Sequence, residues 1–68
     1  MNKAPTNIRL RDLRIKKGLT QYQLARILGF RHNTAISRYE TGRKRPSLET
    51  AQRIALALGA TVEEVFLP

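Results

Sequence analysis

The chain has 68 residues, which is enough for one domain with a small, efficiently packed core. It contains no cysteine, which excludes disulfide bonds and cysteine-bound metals and fits the reducing cytoplasm, where we expect the protein to act. The longest apolar run, residues 54–58, is far too short to cross a bilayer, and residues 1–5 lack the apolar stretch of a secretion signal.

Positive charge is concentrated in the first two-thirds of the chain. Thirteen lysine and arginine residues stand against five acidic residues, which gives a net charge of +8. Residues 1–46 carry twelve basic and two acidic groups, whereas residues 47–68 carry one basic and three acidic groups. Such a basic region attracts polyanions. A membrane surface is also anionic, but the chain has no basic amphipathic helix with a broad apolar face, so DNA or RNA is the better partner.

The pattern of apolar residues and helix caps predicts five short helices and no strand, and the chain has no internal repeat. Residues 1–6 are predicted to form a flexible N-terminal tail, and residues 7–68 are predicted to form the domain. Helix one is predicted from residue 7 or 8 to Lys17, because Gly18 accepts the left-handed conformation that ends a helix.

Helix two begins after Thr20, whose hydroxyl and the Gln23 side chain match a capping box, and it ends at Gly29. Its predicted apolar stripe consists of Leu24, Ala25 and Leu28. Helix three is predicted at about residues 33–40 and stops before Gly42.

Helix four is predicted at residues 48–58, with Ser47 as its N-terminal cap. Its predicted inner stripe consists of Leu48, Ala51, Ile54, Ala55 and Leu58. A short helix five follows Thr61, which forms a second capping box with Glu64. The five segments together predict a compact all-α fold.

The side chains of helix three divide into two arcs at about 100° per residue. The inward, mostly apolar arc contains Ala35, Ile36, Tyr39 and Glu40. The other arc contains Asn33, Thr34, Ser37 and Arg38, all of which can hydrogen-bond to base edges. An ordinary amphipathic helix with a solvated outer face would show the same division. The capped helix before it, the short turn and the basic domain favour a helix that reads the major groove.

Four segments of the chain form a wider pattern: Leu19-Thr20-Gln21 with Leu24-Ala25 and Leu28-Gly29; residues 36–42; residues 46–50; and Ile54-Ala55 with Leu58-Gly59. In this order they resemble the phage repressor and Cro (XRE-like) family of helix-turn-helix domains, from about residue 7 to residue 66. The resemblance implies a five-helix, lambda-repressor-like domain with the helix-turn-helix in helices two and three. It also implies a sequence-specific transcriptional regulator that binds double-stranded DNA.

The resemblance assigns roles to individual positions. It implies base reading by Asn33, Thr34 and Arg38, with a base or phosphate contact from Ser37. It implies phosphate contacts by Gln21 at the start of helix two and by the loop residues Arg43, Lys44 and Arg45, for which a solvated loop is the alternative. It also implies an ion pair between Arg14 and Glu40 that ties helix one to the end of helix three.

The turn of the helix-turn-helix departs from the family. Gly29 and Ile36 are seven residues apart, whereas the usual family spacing is six. The extra residue either lengthens the turn or starts helix three earlier, and in the first case Arg31 points towards the DNA backbone. Tyr22 is a further candidate for a phosphate contact, although packing with an outward-facing hydroxyl is the alternative.

Nothing in the sequence indicates catalysis, a cofactor or a metal site. The one histidine, His32, has no second ligand and is interpreted as a turn residue or a neighbour of the cap of helix three. Glu63 and Glu64 are adjacent, so on a helix their carboxylates point apart, and we expect no enzyme activity.

Three functions fit these predictions: a stand-alone regulator, most simply a repressor; an antitoxin-type interaction module that also binds its own promoter; and a DNA-targeting domain of a longer protein. We expect no small-molecule effector site. We expect a homodimer on DNA, because one recognition helix reads few base pairs. The candidate interface consists of Val62, Val65, Phe66 and Leu67, of which the first three are equally suited to completing the core.

Overall fold

The computed structural model describes residues 8–66, so the predicted tail and Leu67 lie outside the described residues. This part of the chain folds into five helices and contains no strand, as the sequence predicts. The helices are α1 (Ile8–Lys16), α2 (Gln21–Ile27), α3 (Thr34–Thr41), α4 (Leu48–Ala57) and α5 (Val62–Phe66). Each predicted helix is present, and every predicted end lies within two residues of the observed one.

Local hydrogen bonds fix where α2 and α5 begin. The Thr20 hydroxyl accepts from the Gln23 amide at 3.0 Å, and the Gln23 side chain accepts from the Thr20 amide at 2.8 Å. Thr61 and Glu64 make the same reciprocal pair at 3.1 and 2.8 Å. Both capping boxes therefore satisfy backbone donors that a helix start leaves without partners.

The core lies where the five helices converge. Two small or branched side chains, Ala25 of α2 and Ile36 of α3, are fully buried at the crossing of the helix-turn-helix. The cluster of buried residues consists of Leu10, Leu24, Ala25, Leu28, Ile36, Tyr39, Ile54, Ala55, Leu58 and Val65. Every helix contributes to it, and this common core holds α3 rigidly against the domain.

Leu48 does not belong to the core, contrary to the predicted inner stripe of helix four. Its side chain is 67% exposed, whereas Ala51, Ile54, Ala55 and Leu58 are buried as predicted. Leu48 is the first residue of α4. Helical periodicity gives the direction of a side chain, but it does not tell whether a neighbouring element extends far enough to cover it.

A side chain of α4 also fastens the end of α2. The Arg53 guanidinium donates to the backbone carbonyl of Leu28 at 2.7 Å, across 25 residues of sequence. Leu28 is the C-terminal cap of α2 and its carbonyl has no helical partner of its own, so the arginine satisfies one of the free carbonyls at this helix end. Within residues 8–66, no helix has the length and apolar character needed to cross a membrane.

Candidate nucleic-acid interface

The two arcs predicted for helix three are two faces of α3 in the structure. Ile36, Tyr39 and Glu40 are buried, and Ala35 is half-buried. The opposite face carries the predicted base-reading residues: Asn33, Thr34 and Arg38 are exposed, and Ser37 is half-buried. These four residues, with Thr41 and Arg43, line an open polar depression of about 410 Å³ on the surface. The structure thus brings the predicted set together on one side of a helix anchored by its other side.

Thr41 lines this surface but was not among the predicted contact residues. Its hydroxyl bonds to the carbonyl oxygens of Ser37 at 3.0 Å and Arg38 at 3.3 Å. The proton of this hydroxyl is therefore directed at the backbone of its own helix. Thr41 therefore uses its hydroxyl proton within the last turn of α3.

The extra residue between Gly29 and Ile36 lies in the turn. Residues 30–33 are not helical, and α3 begins at Thr34 rather than at Asn33, which occupies the cap position. The Asn33 carbonyl accepts the first helical bond, from the Ser37 amide at 3.0 Å, but its side chain makes no cap bond. Arg31 and His32 are exposed in the lengthened turn. The predicted start of helix three was one residue early.

A buried ion pair joins α1 to the end of α3. The Arg14 guanidinium donates to both carboxylate oxygens of Glu40, through Nε to Oε2 at 2.5 Å and through Nη2 to Oε1 at 3.2 Å. Its third group, Nη1, donates to the Leu19 carbonyl at 2.8 Å. The side chains are 10% and 4% exposed. Removing one partner from a pair this deeply buried leaves an uncompensated charge and costs about 3–5 kcal/mol of stability.

The ion pair continues into a chain of hydrogen bonds that ends at the exposed face. The Gln21 side-chain amide donates from Nε2 to Oε1 of Glu40 at 3.0 Å. The Asn33 amide donates from Nδ2 to Oε1 of Gln21 at 3.1 Å. The chain therefore runs from Arg14 through Glu40 and Gln21 to Asn33. The resemblance names all four residues, but no local signal indicates that they form one network, because the bonds join residues 12 to 26 positions apart.

The predicted phosphate-contacting residues flank α3 at its two ends. Gln21, bonded to Asn33, and the half-exposed Tyr22 lie at the N-terminal end. Beyond the C-terminal end, Gly42 has a φ of +77° and lets the chain turn sharply. The amides of Arg43 and Lys44 then bond to the Arg38 carbonyl, at 2.9 and 3.3 Å. The basic side chains of this loop, Arg43, Lys44 and Arg45, are all exposed.

Arg26 is a cation of this region that was not among the predicted contact residues. Its Nη1 donates to the Tyr22 hydroxyl at 3.2 Å, and its guanidinium carbon lies 5.8 Å from the centre of the Tyr22 ring. Spacing four residues apart on a helix predicts such a contact. The pair places a positive charge beside the Tyr22 hydroxyl.

The C-terminal residues assigned to a dimer interface are partly used by the core. Val65 is 1% exposed and belongs to the buried cluster, so it is not a surface contact in this fold. Val62 and Phe66 are half-buried and pack against the cluster. Large apolar side chains that are more than half exposed lie elsewhere: Ile15, Ile27, Leu48 and Leu56.

Among the described residues, no group of three or more histidine or acidic side chains is placed to hold a metal ion. Nor does any buried side-chain nitrogen or oxygen of the described part lack a hydrogen-bond partner.

Comparison with known proteins points to one family. The helix-turn-helix family model matches residues 10–65. An uncharacterized HTH-type transcriptional regulator from Archaeoglobus fulgidus is 39% identical over 59 residues, which cover 87% of this chain and 83% of the relative. The cryptic phage CTXphi transcriptional repressor RstR from Vibrio cholerae is 35% identical over 57 residues, which cover 84% of this chain and 50% of the repressor.

A solved structure has the same arrangement of helices. The crystal structure of the hypothetical transcription factor NHTF from Neisseria superimposes with a TM-score of 0.77 at 33% sequence identity. The match covers 88% of this chain and 68% of that protein. The sequence and structural comparisons therefore agree on both the fold and the class of protein.

Proposed function

The chain belongs to the phage repressor and Cro family of helix-turn-helix transcriptional regulators, which bind DNA, and we propose that it is a sequence-specific repressor that reads the major groove with α3. The observation that carries this proposal is the polar face of α3. Asn33, Thr34 and Arg38 stand exposed on one side of a helix whose other side is fixed in the core. The major groove of B-DNA is about 12 Å wide and admits one α-helix.

The chemistry of this face suits base edges. Arg38 offers a planar fork of donors that matches the two acceptors of guanine. Asn33 offers a donor and an acceptor, and Thr34 offers a hydroxyl beside a methyl group that can contact thymine. Specific contacts of this kind need a rigid platform, and burial of Ile36, Tyr39 and Glu40 supplies it.

The residues at the two ends of α3 suit the DNA backbone. Gln21 and Tyr22 at one end, and Arg43, Lys44 and Arg45 at the other, would meet the phosphates on either side of the groove. Arg31 is exposed in the lengthened turn and would add a contact near the first pair. Phosphate contacts fix the position of a protein on the duplex but carry no sequence information.

Repression follows most simply from occupancy. A domain seated in the major groove of a promoter excludes other proteins that need the same DNA, and this requires no further activity from the chain. The proposed sign of regulation rests on occupancy, because the relatives differ by name: RstR is a transcriptional repressor, whereas BcrR from Enterococcus faecalis is a transcriptional activator. We propose that the bound form is a homodimer, because two copies double the number of base pairs read.

Selection of bound duplexes from a random pool, at one stated salt concentration, tests the proposal. We expect one enriched motif, and we expect a reporter promoter carrying that motif to fall in activity when the protein is present. Arg38→Ala is the matched control in the reporter, because it removes a base contact on the exposed face. Recovery of unenriched DNA would contradict sequence-specific binding, and an increase of reporter activity would contradict repression.

A further inference from the structure

The buried Glu40 carboxylate is connected to the exposed Asn33 amide by two hydrogen bonds through the Gln21 side chain. The donors and acceptors of these two bonds can be arranged in only one direction. Both Glu40 oxygens accept from Arg14, and Oε1 also accepts from Gln21. An ionised carboxylate can only accept, and a guanidinium can only donate. Glu40 therefore admits only the nitrogen of the Gln21 amide.

The orientation of Gln21 then determines that of Asn33. With Nε2 of Gln21 bonded to Glu40, it is the oxygen Oε1 of Gln21 that faces Asn33. An oxygen can only accept, so Asn33 must present its own nitrogen, Nδ2, to Gln21. The oxygen Oδ1 of Asn33 and its second N–H then point away from Gln21.

We propose that Glu40 is a positioning residue for base recognition: through Gln21 it fixes the Asn33 amide as one acceptor beside one donor, the pattern that matches adenine. The major-groove edge of adenine offers the N6 amino group as a donor and N7 as an acceptor. The reverse orientation of Asn33 would turn both of its N–H groups outwards and would remove this match. The inference rests on the proposed function, in which Asn33 faces the bases.

The location of Glu40 makes the effect selective. The carboxylate is 4% exposed and lies on the inner face of α3, so it does not itself reach DNA. Arg38 lies on the same helix but makes no side-chain hydrogen bond to Arg14, Glu40, Gln21 or Asn33. Its guanidinium carries only donors, so it has no second orientation to choose between. A change at Glu40 should therefore alter the base preference at the position read by Asn33 and leave the preference at the position read by Arg38 unchanged.

Glu40→Gln is the informative substitution because it keeps the shape and removes the constraint. A glutamine at this position turns an N–H towards the Arg14 guanidinium in either orientation, so neither orientation is favoured and Gln21 is free to take both. Gln21→Met removes the connection at its middle without adding a charge. Ile54→Val is a control that lowers stability in the core of α4, at a fully buried site away from the network.

The experiment is selection from a random duplex pool for the wild type, followed by competition among four duplexes that differ at one base pair. The base pair read by Asn33 is the one at which the Asn33→Ala variant loses its base preference. The base pair read by Arg38 is identified in the same way with the Arg38→Ala variant. For the wild type we expect adenine at the Asn33 position, preferred about tenfold or more. Glu40→Gln should reduce this ratio to about threefold or less, and Ile54→Val should keep it.

The route through Gln21 is tested by combining substitutions. We expect Gln21→Met to lower the affinity for all four duplexes and also to remove the adenine preference. Adding Glu40→Gln to Gln21→Met should then change the ratio no further. If Glu40→Gln does not fold, Gln21→Met keeps the inference falsifiable, because an undiminished adenine preference in that variant would exclude the route through Gln21.

Several results would overturn the inference while leaving the proposed function intact. These are a base other than adenine at the Asn33 position, an undiminished ratio in folded Glu40→Gln or Gln21→Met, and an equal loss at the Arg38 position. Failure of the wild type to enrich any sequence would instead contradict the proposed function itself.

Discussion

Arg38 and Lys44 are both exposed cations near the C-terminal end of α3, but they face different parts of a bound duplex. Arg38 lies on the helix face proposed to enter the groove, whereas Lys44 lies in the loop that follows Gly42. We expect Arg38→Ala to lose about 1–3 kcal/mol of discrimination at one base pair. We expect Lys44→Ala to weaken binding to all sequences about equally.

Competition binding with the selected duplex and with its single-base variants measures both effects. Arg53→Lys is a suitable control, because it keeps the charge of a cation that lies on α4 and bonds to the Leu28 carbonyl rather than to the proposed DNA surface. An exchange of the two phenotypes, with Lys44→Ala altering the motif and Arg38→Ala leaving it intact, would refute the placement of α3 in the groove.

The Asn33 side chain shows what the sequence leaves open at the scale of a residue. Periodicity predicts that Asn33 and Thr34 share a face, because that depends only on the rotation per residue. The bond from Asn33 to Gln21 depends on how two helices cross and on one extra residue in the turn between them. Such contacts between distant positions have no signature in local spacing, so the network was not predictable from the sequence alone.

At the scale of the element, the helix starts were the most predictable feature. Thr20 with Gln23, Ser47 with Thr50, and Thr61 with Glu64 each make their bonds within three residues. The information that begins these helices is therefore local, and the sequence predicted the starts of α2, α4 and α5. The burial of Leu48 was wrongly predicted for the opposite reason, because the cover of a side chain comes from another element.

The capping box of α2 provides a prediction about stability. Thr20→Ala removes the acceptor of the Gln23 amide and leaves a helix donor without its partner. We expect the free energy of unfolding to fall by about 1 kcal/mol, as measured by urea denaturation. Thr20→Ser keeps the hydroxyl and serves as the control, with a change of only a few tenths of a kcal/mol. Equal losses for the two variants would show that the hydroxyl contributes nothing.

At the scale of the whole molecule, the uneven charge provides a prediction about salt. Residues 1–46 carry a net charge of +10 and residues 47–68 a net charge of −2, so one part of the chain is suited to phosphates. If each subunit neutralises about four to six phosphates, the logarithm of the binding constant should fall with the logarithm of salt concentration at a slope of about −4 to −5 per subunit.

The salt titration has an internal control in the loop after α3. Lys44→Ala should reduce the magnitude of the slope by about one per subunit, because one phosphate contact is lost. Glu49→Gln removes a charge from α4 without removing a cation and should leave the slope nearly unchanged. Affinity that stays constant from low to physiological salt would be incompatible with a phosphate-contacting interface.

The distribution of apolar surface bears on how two copies would meet. Residues 47–68 carry little net charge, so two copies can approach there without strong repulsion. Val65 is buried in the core and is not available for an interface. Of the described residues predicted to form the α5 interface, only the half-buried Val62 and Phe66 remain at the surface. On α4, Leu56 is 82% exposed and offers a second apolar surface against which the first can be compared.

A pair of glutamate substitutions tests the predicted two-fold dimer. On DNA, we expect two copies to bind a nearly palindromic site whose half-sites are about 34 Å apart, or a multiple of that distance. If α5 forms the interface, Phe66→Glu should remain folded by circular dichroism and lose cooperative binding to the palindrome, because a buried interfacial charge is costly. Leu56→Glu, the control on α4, should then bind as the wild type does.

Other outcomes would place the interface elsewhere. Unfolding of Phe66→Glu would assign Phe66 to the core, and loss of cooperativity in Leu56→Glu alone would move the interface to α4. Undiminished cooperative binding by a folded Phe66→Glu would exclude dimerisation through α5, since a carboxylate at the centre of so small an apolar contact leaves too little area to hold two copies together.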